Sequence, residues 1–444
     1  MHDLVRFSMN ALGSRTIRDC LRSFAFTFLS RLLIMNSIPP DLCYEIFSRL
    51  STKTIARCRC VSKLWRSILR SADFTELFLT KSSARPSLLF ALKRATNEFH
   101  FYSSPQIHIQ NEKSSLAAYC KLKLPDDMQL IFYSHASGLF CFRYEPISKK
   151  DEHTAHVICN PSTGETVFLP KRRTGHKSFL GFDPIDKVFK VVSPIAGRSP
   201  YGCIHNILTL GTGEMRWRKI QCSLSHCPDS SGGICINGAL YYLATGRDAA
   251  SYVVCFDVRS ENFKFIQADF KLYKARSLIN YKGKLGVIIW TGHNSGYLGG
   301  EIGLNRTHEL HIRVLEDVVK HDWSEYAYTL PDDKFGYTGR RVSFVSVAGV
   351  TATGEIVLYC DFGAIFYFHP ERNTIQRVQI QGFENHDRVY AFVNHVDDLT
   401  LNIKPHRVQQ DLLTFDMNYH QLQQHVPRFE KINKFAALSL LEDE

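Results

Sequence analysis

The sequence lacks most of the short motifs by which soluble enzymes announce themselves. There is no G-x-S-x-G elbow to raise a nucleophilic serine, no Walker-type phosphate loop and no H-E-x-x-H helix. "GTGEMRW" at 211–217 has the glycines of a phosphate loop without its lysine or a following helix, and reads as a hairpin turn. No polybasic block is present: the densest basic run is "PKRRTGHK" at 170–177, which reads as a solvated loop, so nucleic acid is not an expected partner. Nor does any apolar stretch reach the roughly 18 uninterrupted residues of a membrane helix, because Arg31 breaks "FAFTFLSRLLIM". No membrane partner is expected. Doubled C-x-x-C spacing is missing as well, and the thirteen cysteines are odd in number and scattered through apolar runs, which suits reduced, buried thiols. Cys222 and Cys227 stand near His205 and His226 in the chain, but their spacing does not make a recognisable zinc motif, and no metal or cofactor is expected.

What is there is a chain of 444 residues, 44% hydrophobic and 22% charged, with a formal charge of +11. That composition builds a real core, and the length suits a small unit joined to a large one. The positive balance favours acidic partners. Residues 1–35 are rich in arginine and poor in acid, and Met35 stands directly before the first well-patterned segment. They read either as an organelle transit peptide or as a non-native extension.

From 36 to 80 the pattern is helical. Pro39 and Pro40 stop any preceding helix and open a new one over about 40–50, with Asp41 and Glu45 in its first turns and Leu42, Ile46 and Leu50 on one line beside Phe47. "STKTIARCR" forms a second helix capped by Ser51 or Thr52. "VSKLWRSIL" at 61–69 forms a third, whose Val61, Leu64, Trp65, Ile68 and Leu69 make one apolar stripe. So short a unit cannot hide all of these side chains from water. Burying a tryptophan removes roughly 150–250 Å², on the order of 4–6 kcal/mol before entropy is counted. The face around Ile38, Pro39, Leu42, Ile46 and Leu50 is therefore finished either by a partner or by the rest of the chain.

The string "IPPDLCYEIFSRL…ARCRCVSKLWRSIL" resembles an F-box, with an apolar-Pro opening, an acidic-Leu pair, a helix ending in Arg-Leu and a Val-Ser-Lys-x-Trp phrase. Two positions depart from the pattern: Ile38 replaces the commoner leucine, and Ser51 stands where a proline often follows Arg-Leu, which should loosen the start of the second helix. The resemblance implies that Ile38, Pro39, Leu42, Ile46, Leu50, Val61 and Trp65 pack against the acidic Skp-type adaptor of a cullin-RING ubiquitin ligase.

From 86 to 402 short runs of Phe, Tyr, Val, Ile and Leu alternate with turn residues, the mark of many strands. One phrase recurs at Gly138, Gly238, Gly283 and Gly354, as in "CINGALYYL". A second closes each unit, as in "VICNPSTGETVFLP" and "FYFHPERNTIQRVQI". Gly238 and Gly283 stand 45 residues apart, close to one propeller blade of about 40–45. "LGFDPIDKVFKVVS" at 180–193 opens an extra unit, and "HNSGYLGGEIGLNRTHE" is a long insertion. The expected architecture is thus α+β and multidomain: a three-helix unit followed by an all-β domain, a β-propeller, with a β-sandwich as the alternative. "NPSTGE", "GFDP" and "FVNHVDDL" give this region a resemblance to the type 3-like F-box associated domains of the large plant F-box families.

The dispersed His135, His176, His205, His311 and His369 read as structural residues, and Asp332-Asp333 and Asp397-Asp398 as turn or tail residues, so catalysis is not expected. Aromatic and basic loops are the expected recognition surface for a protein target, with Arg172, Arg173, Phe179, Trp290 and Tyr297 as candidates. Residues 403–444 form a mixed, partly helical tail. The F-box resemblance implies a non-catalytic substrate receptor of an SCF-type ubiquitin ligase, in the cytoplasm or nucleus, or in an organelle if 1–35 is a transit peptide. The rival is a protein- or small-ligand-binding propeller that needs no adaptor.

Overall fold

The computed structural model describes residues 39–399 except 94–97, 107–116, 124–127, 147–154, 171–176, 195–202, 212–214, 230–231, 269, 271–274, 292–306, 332–344, 361–363 and 380–387. The leader, the tail, Ile38, Arg172, Arg173, His176, Tyr297 and Asp332-Asp333 lie outside the described residues. The chain divides into two compact units, Met1–Lys81 and Ser82–Glu444.

Four helices, not three, are described in the first stretch: α1 (Pro40–Phe47), α2 (Thr52–Cys58), α3 (Lys63–Ile68) and α4 (Ala72–Ser83). Each boundary has a local cause. Proline at the start of α1 has its φ preset for a helix and loses no needed N–H there. Ser51 Oγ accepts from the Thr54 N–H and Ser62 Oγ from the Trp65 N–H, so α2 and α3 each begin at a serine cap. Ser51 thereby does locally what the missing proline would have done. Because the cap of α3 is Ser62, that helix starts two residues later than its periodicity predicts, and Val61 falls outside it. The unforeseen α4 is capped by Ser71, whose Oγ accepts from the Phe74 N–H at 3.2 Å. Its Phe74 and Phe78 are four apart and buried. Phe74 meets Tyr44 at a centroid distance of 5.8 Å, and Phe47 meets Trp65 edge-on at 4.8 Å.

Among the described residues the second unit holds four four-stranded antiparallel sheets and one nine-stranded sheet, which divides at a short parallel pairing into two more antiparallel sets, so that six blades are distinguished. Blade 2 runs Met128–Ala136, Leu139–Pro146, Ala155–Asn160 and Glu165–Phe168, and blade 3 runs Phe179–Asp183, Val188–Pro194, Cys203–Thr209 and Arg218–Cys222. Blade 4 runs Gly233–Ile236, Ala239–Gly246, Ser251–Asp257 and Phe263–Gln267, with the short strand His226–Pro228 added to its second strand. Blade 5 comprises Ala275–Tyr281, Lys284–Thr291, Thr307–Asp317 and Asp322–Pro331, and blade 6 Val345–Val350, Ile356–Cys360, Ala364–His369 and Thr374–Gln379. Blade 1 draws on both ends of the unit. Ser87–Lys93, Glu98–Pro105 and Ala117–Lys123 are joined by Arg388–His395, which pairs with Ser87–Lys93.

The recurring glycines sit where the chain reverses between the first and second strands. At Ser137-Gly138, Asn237-Gly238 and Lys282-Gly283 both central residues have positive φ, between 42° and 86°. Two-residue turns of that hand match the twist of the flanking strands, which is why the second position is glycine each time.

Apolar clusters join each blade to the next. Phe101 of blade 1 shares one with Phe140 of blade 2, and Leu139 of blade 2 another with Leu180 of blade 3. Val192 of blade 3 packs with Leu240 of blade 4, Leu243 of blade 4 with Leu285 of blade 5, and Ile312 of blade 5 with Phe366 of blade 6. The last, Tyr367 with Phe90, returns to blade 1. Six interfaces joining six blades in a cycle describe a closed propeller and exclude the two-layer sandwich. Blades 2 and 4 are also joined by a short parallel pairing, Gly233 with Ser134 and Ile234 with His135.

Two substitutions test closure and turn chemistry. Phe392, in the closing strand, touches the rings of Phe132, Phe140 and His135. Phe392→Ala should lower propeller stability by about 3–5 kcal/mol, read as a shift in its urea denaturation midpoint. Gly238→Ala places a Cβ in the left-handed region and should cost about 1–2 kcal/mol in the same measurement.

Candidate protein-binding surfaces

Helix α1 has two sides. Cys43 and Phe47 are buried, whereas Leu42 and Ile46, one turn apart on another side, are 54% and 49% exposed. Val61 and Leu64 remain 46% and 48% exposed. Leucine and isoleucine left half in water forfeit much of the roughly 1.5–3 kcal/mol that full burial of each would supply. Pro39 is exposed and Leu50 half-buried. Trp65 corrects the expected stripe: at 7% exposure, edge-on to Phe47, it belongs to the unit's own core with Ile68 and Leu69. Leu64, which the adaptor set left out, stays outward with Val61, and the i, i+3 spacing of the pair was the available signal. The same unit exposes Arg49, Arg57, Lys63, Arg66 and Arg70.

A three-membered ion pair fastens α1 to α4. Glu45 accepts from Lys81 and from Arg49, the latter at 2.6 Å. Those two cations, Lys81 foremost, hold the Glu45 carboxyl down at about 2.

Two residues proposed for target recognition are placed elsewhere. Phe179 opens the inner strand of blade 3, is fully buried, and stacks on Tyr242 at 4.6 Å. It is a core residue at the start of a strand that is buried almost throughout. Trp290 lies in the second strand of blade 5 and packs against the cluster between blades 5 and 6 instead of on a loop.

Between those blades the described residues do form a cleft, about 380 Å³ in volume, lined by Tyr281, Lys282, Glu316, Tyr326, Tyr328 and His369 among others. Tyr281 and Tyr326 stack at 5.6 Å, and Lys282 Nζ stands 5.9 Å from the Tyr281 ring centre. Burial, with Tyr281 alongside, pushes the Tyr328 hydroxyl up to about 12. The cleft presents aromatic faces with neutral hydroxyls, the chemistry of protein contacts. Only the repeated glycine phrases hinted at its location, since Lys282-Gly283 and Gly354 come from two of those turns.

The fold also brings together Ser162 of "NPSTGE" and His395 and Asp397 of "FVNHVDDL". Ser162 Oγ donates to Asp397 Oδ1 at 2.8 Å, and His395 Nε2 is 3.5 Å from both oxygens. A nucleophilic triad needs the acid on one imidazole nitrogen and the serine on the other. Here serine and acid both face the same nitrogen, and their contacts knot a blade 2 hairpin to the closing strand. His135 is buried against Phe392 and Phe140, and burial, reinforced by His395, lowers it to about 4, so it stays neutral. His311 is held by Glu325 at 3.1 Å, and His369 Nδ1 accepts from the Arg372 N–H at 3.4 Å. His205, Cys222 and His226 converge, with candidate ligand atoms all within 4.8 Å of one another, while Cys227 is exposed.

Four short helices with half-bare apolar side chains, preceding an all-β ring of blades, define a small helical unit joined in one chain to a propeller. The chain belongs to the F-box proteins that carry an F-box associated beta propeller domain: that domain family matches residues 87–396, and the F-box domain matches residues 35–77. Among Arabidopsis thaliana relatives, F-box protein At3g57590 is 46% identical over 83% of this chain and 92% of its own. F-box protein DOR is 44% identical over 84% of this chain and 96% of its own. Of solved structures, one chain of a nidogen/laminin complex aligns with a TM-score of 0.38 at 11% identity, over 70% of this chain and 99% of that one.

The Glu45 carboxyl, lowered in the folded state, contributes stability that is present above its unfolded value of about 4.3 and is lost as pH falls toward its folded value. Its carboxyl resonance in an NMR titration should therefore move with a midpoint of about 2. Lys81→Ala should return that midpoint toward the ordinary range.

Proposed function

We propose that the chain is the substrate-recognition subunit of an SCF-type ubiquitin ligase. Its F-box binds a Skp-type adaptor, and through it a cullin-RING core, while the propeller binds a protein target. The observation that carries this reading is the exposure of Leu42, Ile46, Val61 and Leu64 in a unit that buries Phe47, Ile55, Trp65, Leu69 and Phe74 in its own core. A helix face of that kind is covered by laying another protein's apolar surface on it. The surrounding arginines and lysines suit the acidic character of the adaptor family and speed encounter with it. On this reading the chain makes no covalent bond itself. It raises the effective concentration of target lysines near a ubiquitin-charged enzyme held elsewhere in the complex.

The tyrosine-lined cleft between blades 5 and 6 is the target-facing candidate, because aromatic anchors concentrate binding energy when desolvated. Work in the cytoplasm or nucleus accords with buried thiols such as Cys141, which burial pushes up to about 12 and keeps unreactive.

Co-purification of the full chain with a Skp-type adaptor tests the docking claim. Wild type should bind. Leu42→Asp should weaken binding by about 100-fold or more, the scale of a central interface residue, without changing the propeller's denaturation midpoint. Trp65→Ala should lower binding only by unfolding the helical unit, visible as lost helical circular dichroism. A folded wild-type chain that ignores the adaptor would leave the adaptor-independent propeller as the better description.

A further inference from the structure

His205 lies in the third strand of blade 3, Cys222 ends the fourth, and His226 begins the short strand added to blade 4. The sheet explains part of their meeting. Cys203 is the register partner of Cys222, and His205 is two residues along from Cys203, so His205 and Cys222 share a face. The linker after Cys222 then turns within three residues and brings His226 back. Candidate ligand atoms of all three fall within 4.8 Å of one another, and all three residues are buried.

The surroundings are aromatic. The His205 ring is 4.8 Å from that of Phe263, and the His226 ring meets Phe265 edge-on at 5.4 Å. The His226 ring is already oriented: its Nδ1–H donates to the Leu224 carbonyl at 2.9 Å, leaving Nε2 as the acceptor of the Tyr242 hydroxyl, also at 2.9 Å. A backbone carbonyl on the far nitrogen is how metal-binding histidines are commonly fixed in tautomer and angle.

We propose that His205, Cys222 and His226 bind a zinc ion that ties blade 3 to blade 4. Two imidazoles and a thiolate with no carboxylate form a borderline-soft donor set, which selects zinc over magnesium or calcium. Ligand atoms around tetrahedral zinc are roughly 3.3–3.6 Å apart, so closure from the observed spacing takes shifts of about 1 Å. Binding breaks the Cys222 S–H bond, sends its proton to solvent and forms one Zn–S and two Zn–N bonds; no electron moves. On binding, Cys222 gives up the contact that its thiol now donates to the Leu224 carbonyl at 3.5 Å, and water fills the fourth position. Chain spacing alone pairs Cys222 with Cys227, and that pairing concealed the set, because Cys227 points outward.

The test uses the full chain, purified with its adaptor where one binds, incubated with Zn²⁺ and desalted. Elemental analysis should find about one zinc per chain, and Cys222→Ser or His205→Gln should reduce it to less than about a tenth. Cys227→Ser should keep it. Zinc X-ray absorption of the wild type should give one sulfur near about 2.3 Å and nitrogens near about 2.0 Å, which decides the matter even if a variant fails to fold. Zinc below about a tenth per wild-type chain, a sulfur-free or sulfur-only shell, or full retention in folded Cys222→Ser each overturns the proposal.

Discussion

Arg388–His395 lies beside Ser87–Lys93, so one ladder joins residues as far apart as 308 positions. The other blades are local meanders whose strands follow one another in sequence, and each can form by short hairpin steps. Blade 1 alone must wait for the far end of the domain. Its closure entropy rises only slowly with loop length, so the ladder and the phenylalanine cluster beneath it can offset that cost. Once the strand is in place, blades 1, 2 and 6 share a continuous interior through Phe392 and Ala391. The knot of Ser162, His395 and Asp397 secures the strand's end to blade 2.

The helical unit solves the problem of small size differently. Its interior combines Ile55, Ile68 and Leu69 with the large rings of Phe47, Trp65, Phe74 and Phe78, each ring contributing more area than an aliphatic side chain could. α4 supplies two of them. Glu45 fastens that helix to α1 from outside, so the interior rings need not set the angle between the two helices alone.

Much of the architecture was legible because propellers repeat. Gly138, Gly238, Gly283 and Gly354 all mark turns between first and second strands, and "LGFDPIDKVFKVVS" does open the blade lying between two of them. Blade 1 was invisible to a search for recurrence, since its strands come from opposite ends of the domain. α4 went unread, though Ser71 followed by Phe74 and Phe78 carries a cap and a helical spacing. Leu42 and Ile46 could be placed on a helix from sequence; which side of that helix would stay wet could not, because the answer depends on where Trp65 and Phe74 go. The same limit put Phe179 and Trp290 on loops. Aromatic residues near glycine-rich segments have no local feature that separates a surface anchor from the first residue of an inner strand. Convergence of His205, Cys222 and His226 is likewise a product of register and turn, unreadable from spacing.

The half-wet side chains of α1 and the α3 region carry a cost for the cell that makes them. A copy synthesised in excess of whatever caps it circulates with grease in contact with water, open to self-association and to the machinery that disposes of such surfaces. If an adaptor covers that face as proposed, its supply limits how much of the chain escapes such contacts, as binding to the folded form shifts the balance by mass action.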